Sequence, residues 1–143
     1  MKQGFYNNGL PVCAENVPDL GLLPDGVNSI LNDLFVYVDA DDGAHIASPG
    51  LETDGGTIPR MFWRMIGSPW RGKRRYAFII HDQECQDVYK LPKHMRDGAR
   101  LRADKNLYEM CLFLGDSKAE AWAIYCGVRL GWNCWQKYKK GTK

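Results

Sequence analysis

The spacing of apolar and polar positions changes character twice along this chain. Residues 1–33 are cut up by Gly4, Gly9, Pro11, Pro18, Gly21, Pro24 and Gly26. That density of turn-formers predicts loops with short extended pieces. Leu34-Phe35-Val36-Tyr37-Val38 is β-branched and aromatic, Asp39-Ala40-Asp41-Asp42-Gly43 is turn chemistry, and Ala44-His45-Ile46-Ala47 returns as a second strand, so a β-hairpin is expected. From Arg75 onward the apolar period lengthens to that of a helix. It predicts helices over about 74–90, 96–114 and 117–138. In the second, Leu101, Asp104, Tyr108 and Cys111 share a stripe, with Leu107, Met110 and Leu114 beside it. The third begins after Asp116-Ser117, a capping pair, and offers Ala121, Trp122, Ile124, Tyr125, Val128 and Leu130 for packing. Leu91-Pro92-Lys93 breaks the first helix from the second and predicts an antiparallel helix hairpin. The expected fold class is α+β, with N-terminal loops and a β-hairpin followed by a mainly helical C-terminal half. One domain covers 1–143: an irregular segment 1–33, the hairpin and a glycine loop over 34–60, and the helical part 61–138.

Bulk properties narrow the function classes. With 143 residues, 45% of them hydrophobic, the chain can bury one real core but not two. Nineteen basic against 17 acidic residues give no general attraction to nucleic acid or to an anionic membrane. Arg71-Gly72-Lys73-Arg74-Arg75 and the Lys137–Lys140 tail are local basic patches, read as a solvated loop and a frayed terminus. Cys13, Cys85, Cys111, Cys126 and Cys134 are odd in number and contain no CxxC spacing, which argues for reduced thiols over a disulfide framework or zinc knuckle. No run reaches the ~18 apolar residues of a membrane span. These features predict a protein kept in a reducing cytoplasm.

Two stretches could carry chemistry. His81 stands eleven residues before Pro92 and Asp104 twelve after it, so a hairpin bent there sets imidazole and carboxylate level with each other. A carboxylate on one ring nitrogen fixes the tautomer and frees the other nitrogen as a base or ligand. Asp82 points about 100° further round the helix and can line the same site. The second stretch is Asp54-Gly55-Gly56-Thr57, where paired glycines permit a tight backbone path between two oxygen-bearing side chains, and Thr57 can cap a helix carrying Pro59 in its first turn. Asp39, Asp41 and Asp42 resemble part of a calcium loop but lack its later ligands, so a hydrated turn is expected. His45 and His94 read as exposed loop or turn histidines, and Cys85 as a lining residue. The plain alternative to catalysis is a buried polar network in which Asp104 and Asp54 accept hydrogen bonds from His81, Arg60 or Arg100.

Thr53-Asp54-Gly55-Gly56-Thr57-Ile58-Pro59-Arg60, Trp63, His81-Asp82, Arg100 with Ala103-Asp104, and Val128-Arg129-Leu130-Gly131-Trp132 occur in the order of a known signature. The chain resembles domain-of-unknown-function family 1353, a group of small phage and prophage proteins. It departs from that pattern at Gly56, where alanine is usual, and at Gln83-Glu84-Cys85, where Leu-Tyr commonly follows the His-Asp pair. The resemblance implies a phage or prophage origin and a functional cluster of Asp54, Thr57, Pro59, Arg60, His81, Asp82, Arg100 and Asp104, without a reaction. The layout is also similar to that of secreted phospholipases, which set a His-Asp pair on one helix against an Asp on an antiparallel helix beside a calcium-holding glycine loop. The cysteines flanking that motif are absent here.

The leading expectation is a metal-assisted hydrolase of an ester or amide in the host envelope. His81 is the base, Asp104 its orienter, and Asp82 and Asp54 hold a divalent cation (calcium or zinc). Arg60, Arg100 and Thr57 contact the substrate or its developing anion. The competing expectation is a non-catalytic virion or accessory component, made in the host cytoplasm and packed against phage structural proteins, with Trp63, Trp70, Trp132 and Trp135 as an exposed docking surface. An inhibitor of a host protein is the third.

Overall fold

A computed structural model describes residues 1–22, 29–53 and 73–141, without the side chains of 22 and 134–141. Among the described residues, seven short strands precede three helices: β1 Gly4–Asn7, β2 Leu10–Pro11, β3 Leu20–Leu22, β4 Ser29–Leu31, β5 Phe35–Val38, β6 Ala44–Ala47, β7 Glu52–Thr53, α1 Arg74–Val88, α2 Lys93–Phe113 and α3 Lys118–Gly141. The expected α+β class is observed, with β-structure in the N-terminal half and helices in the C-terminal half.

The described strands form two antiparallel sheets, ordered β2-β1-β5-β6 and β3-β4-β7. The β5-β6 hairpin has Val36 opposite Ile46 and Val38 opposite Ala44. Asp39 closes its turn by accepting the Asp41 and Gly43 amides at 2.9 and 2.8 Å. A Cβ on Gly43 would lie 2.6 Å from Asp39 Oδ2, so the turn needs glycine there. β1 pairs with β5, setting Phe5 opposite Tyr37 and Asn7 opposite Phe35. Phe5, Phe35, Tyr37, Tyr76 and Phe113 join in stacked, tilted and edge-on ring contacts that bind the sheet to the helices.

Helix α1 is the structural centre. Every residue from Tyr76 to Asp82 is buried, because α1 packs on α2 along one side and on β5 and β6 along the other. A helix enclosed this way is apolar around its circumference, which accounts for the uninterrupted Ala77-Phe78-Ile79-Ile80. Each of the larger side chains contributes about 1.5–3 kcal/mol by leaving water. Pro92 ends the turn in an extended conformation and starts α2, while Arg96 donates to the Leu91 and Tyr89 carbonyls that α1 leaves unpaired. Gly115, at φ +99°, completes the C-terminal turn of α2. Ser117 and Glu120 then exchange hydrogen bonds as a capping box at the start of α3. Arg74 ties the beginning of α1 to that corner through Asp116 at 3.0 Å and Glu120 at 2.6 Å.

Several expectations need correction. Trp122 and Leu130, expected to pack, are 57% and 42% exposed. Trp132, expected on a docking surface, is 3% exposed. Its indole N–H donates to Asp97 at 3.1 Å and its face lies under the Arg100 guanidinium. His45 lies on β6, where Nε2 meets Asp39 at 2.9 Å and Nδ1 stands 3.7 Å from Glu84, so it is a strand histidine held between two carboxylates. Trp63 and Trp70, the Trp135 side chain and the helix expected after Thr57 lie outside the described residues.

Candidate functional site: a histidine held by a clamped carboxylate

The helix hairpin does bring His81 and Asp104 together. Their separation is 2.7 Å from Nε2 to Oδ1, and neither side chain is exposed. An ionised carboxylate only accepts, so Nε2 carries the proton toward Asp104. Asp104 is held from two further directions: Arg100, one turn earlier on α2, donates Nε to Oδ1 at 2.9 Å, and Arg129 on α3 donates Nη1 to Oδ2 at 2.9 Å. One carboxylate thus joins α1, α2 and α3. Arg100 itself lies 5.1 Å over the Trp132 ring, a cation–π contact that fixes its plane.

Burial opposes charge on the His81 ring, but the Cys85 sulfur and the Asp104 carboxylate outweigh it and raise its pKa to about 10. Burial likewise raises the Asp104 carboxyl, and His81 and Arg100 more than compensate, leaving it below its ordinary value. The two form an ion pair at neutral pH.

Cys85, one turn beyond His81, places Sγ 3.7 Å from Nδ1 and 3.5 Å from Nε2. A point in the ring plane at those two distances would collide with Cε1 on one side or with the Cγ–Cδ2 bond on the other. The sulfur therefore lies over the ring face. Cys85 is thus the neighbour that the described residues give to Nδ1. Asp82, the neighbour of His81, accepts a short hydrogen bond from the Thr53 hydroxyl at the end of β7. Gln86 donates to the Glu52 carbonyl at 3.0 Å and fastens the same strand to α1. The chain that leaves β7 toward Asp54 thus starts beside the His-Asp pair.

Donor atoms of His81, Cys85 and Asp104 lie within 4.8 Å of one another. That set does not suit a cation, because both Asp104 oxygens already accept from guanidinium groups and an added cation would face two like charges. Asp82 is the carboxylate expected to hold one, and it is buried with the Thr53 hydroxyl as a partner. Its expected companion Asp54, and with it Thr57 and Arg60, lies outside the described residues. The third cationic partner, Arg129, was quoted within the Val128–Trp132 motif but given no role. The available signal was a cation inside the apolar stripe Ile124, Val128, Trp132. Thr53, read only as the first residue of the glycine loop, was also missed.

These features define an α+β domain with a histidine–carboxylate–diarginine centre at the junction of α1, α2 and α3. The chain belongs to the family described as "Protein of unknown function (DUF1353)", matched over residues 30–128, a span that holds His81, Asp82, Arg100 and Asp104. It is similar to two proteins of Sinorhizobium fredii (strain NBRC 101917 / NGR234). It shares 27% identity with the uncharacterized protein y4iH over 104 residues, which is 73% of this chain and 40% of that protein. It shares 43% identity with the uncharacterized protein y4jT over 37 residues, 26% of this chain and 11% of that protein. The matches span less than half the length of either relative. No solved structure matches the chain.

Proposed function

We propose that this domain is a hydrolase in which His81, oriented by Asp104, activates water against an ester or amide of a bacterial envelope. The observation that carries this reading is the orientation of the ring: Nε2 is fixed on a clamped carboxylate, which leaves Nδ1 as the nitrogen turned away from Asp104, with the Cys85 sulfur 3.7 Å from it. A base so placed takes a proton from water through Nδ1 while Asp104 stabilises the imidazolium that results. Because the competent form is deprotonated, turnover rises with pH through the imidazolium range, which extends up to about 10. Asp82, with Asp54, would hold a divalent cation. Such an ion, when bound, supplies Lewis-acid polarisation of the substrate carbonyl. The similarity of layout to secreted phospholipases makes a phospholipid acyl ester the first substrate to test. A phage or prophage setting, in which the host envelope is the target, is part of the same proposal.

The test measures fatty-acid release from phosphatidylglycerol and phosphatidylethanolamine vesicles with and without calcium. Wild type should hydrolyse them, and His81→Gln should lose at least about 100-fold, the usual contribution of a general base, while still melting cooperatively. Equal rates in the two proteins remove His81 from the chemistry.

A second reading is favoured by one observation: His81 and Asp104 are wholly buried. A cluster that only pins helices together belongs to a non-catalytic virion or accessory component, or to an inhibitor of a host protein. Stoichiometric copies in purified particles, with no hydrolysis of any ester or amide tested, would select it.

A further inference from the structure

On the solvent side of the α2–α3 pair, Lys105, Tyr108 and Glu109 of α2 and Trp122 and Tyr125 of α3 line a cavity of about 190 Å³. Trp122 is 57% exposed, an unusual position for the largest apolar side chain. The rings are ordered against one another. Trp122 and Tyr125 stack with centroids 5.2 Å apart and planes 28° apart, and Tyr108 meets both edge-on at 6.4 and 6.3 Å.

Those separations decide which ligand fits. Rings this close touch directly, so no space remains among them for a methylated ammonium, and an aromatic cage for a quaternary cation is excluded. What the cluster offers is an outward aromatic platform with Tyr108 as a perpendicular wall. Lys105 and Glu109 stand at the rim, a donor and an acceptor that form no hydrogen bond or ion pair among the described residues. A stacked nucleobase would bring phosphates, and the single lysine there is offset by a glutamate. A protein partner needs a far larger contact than one ring-sized hollow. A flat apolar surface flanked by a donor and an acceptor suits a ring with a C–H face and hydroxyl edges.

We propose that this hollow is a glycan-binding subsite that seats one pyranose ring on the exposed face of Trp122, backed by Tyr125, with Lys105 and Glu109 taking its hydroxyls. It is separate from the His81 centre and stands whether or not that centre is catalytic. The probes are cellotetraose and the β-1,4-linked N-acetylglucosamine tetramer, titrated into the full chain while the Trp122 indole N–H is followed by NMR. Saturable shifts with either sugar are expected, with affinity falling at least about tenfold in Trp122→Ala and several-fold in Glu109→Gln. Both variants should still melt cooperatively, and Glu109→Gln should keep the wild-type melting temperature, since Glu109 faces solvent. No saturable shift with either tetramer, or unchanged affinity in Trp122→Ala, overturns the proposal. So does saturable binding of a single-stranded oligonucleotide, without sugar binding, through the same tryptophan.

Discussion

Replacing Asp104 by Asn keeps the side-chain size and removes its charge. The carboxylate is fully buried and accepts from His81 at 2.7 Å and from Arg100 and Arg129 at 2.9 Å each. Asparagine offers one accepting oxygen and turns an N–H₂ group toward a donor. Two guanidinium groups and the imidazole are then left without a counter-charge, and breaking a buried ionic cluster this way costs about 3–5 kcal/mol. At about 3 °C per kcal/mol for a chain of this size, the melting temperature should fall by about 10–15 °C. The imidazole, losing the Asp104 contribution and facing two like charges, should titrate well below 10. Sign and window follow from linkage. Asp104 is lowered, so its contribution is present above the unfolded carboxyl pKa of 3.8 and is lost as pH falls through the lower folded value. His81 is raised, so its contribution is complete below 6.5 and is lost as pH rises through about 10. Thermal melts by circular dichroism across that range, on Asp104→Asn, Arg129→Met and the double variant, measure all of this. Arg129 should show a coupling to Asp104 of about 1–3 kcal/mol. A melting temperature for Asp104→Asn within about 2 °C of wild type, or additive single effects, would refute the clasp.

Two further outcomes test other parts of the fold. His45 sits between Glu84 and Asp39; the Glu84 carboxylate, 3.7 Å from Nδ1, raises its pKa, burial opposes, and Asp39 adds to reach about 9. Stability measured by urea unfolding should therefore hold below pH 6.5 and decline as pH rises through about 9, and His45→Gln should flatten that decline. Ser117→Ala removes the hydroxyl that receives the Glu120 amide at 3.1 Å and should cost about 1 kcal/mol in the same assay.

The helices and the hairpin were legible because their periods are clean and each boundary carries its own chemistry: Pro92, Gly115, Ser117, and the aspartate–glycine turn. The His81–Asp104 meeting was legible for the same reason, since a single proline break fixes the register of two helices. Arg129 was not, because its approach to Asp104 depends on how a third helix docks, and the α2–α3 corner alone does not give that angle. Trp122 was misplaced because it sits one position off the Ala121–Ile124–Val128 stripe, where a tryptophan reads as core. Trp132 erred in the opposite sense, since Asp97 and Arg100, about thirty residues earlier, cover it. His45 looked like a loop residue because its partner Glu84 comes from α1, across the sheet-to-helix packing.

The most direct measurement is of the two ring nitrogens of His81. In protein labelled with ¹⁵N-histidine, Nε2 should remain protonated from neutral to alkaline pH, and Nδ1 should lose its proton with a midpoint far above 6.5. An Nε2 that deprotonates, or a ring that titrates at its ordinary value, would mean that Asp104 does not hold the histidine and that Nδ1 is not the base.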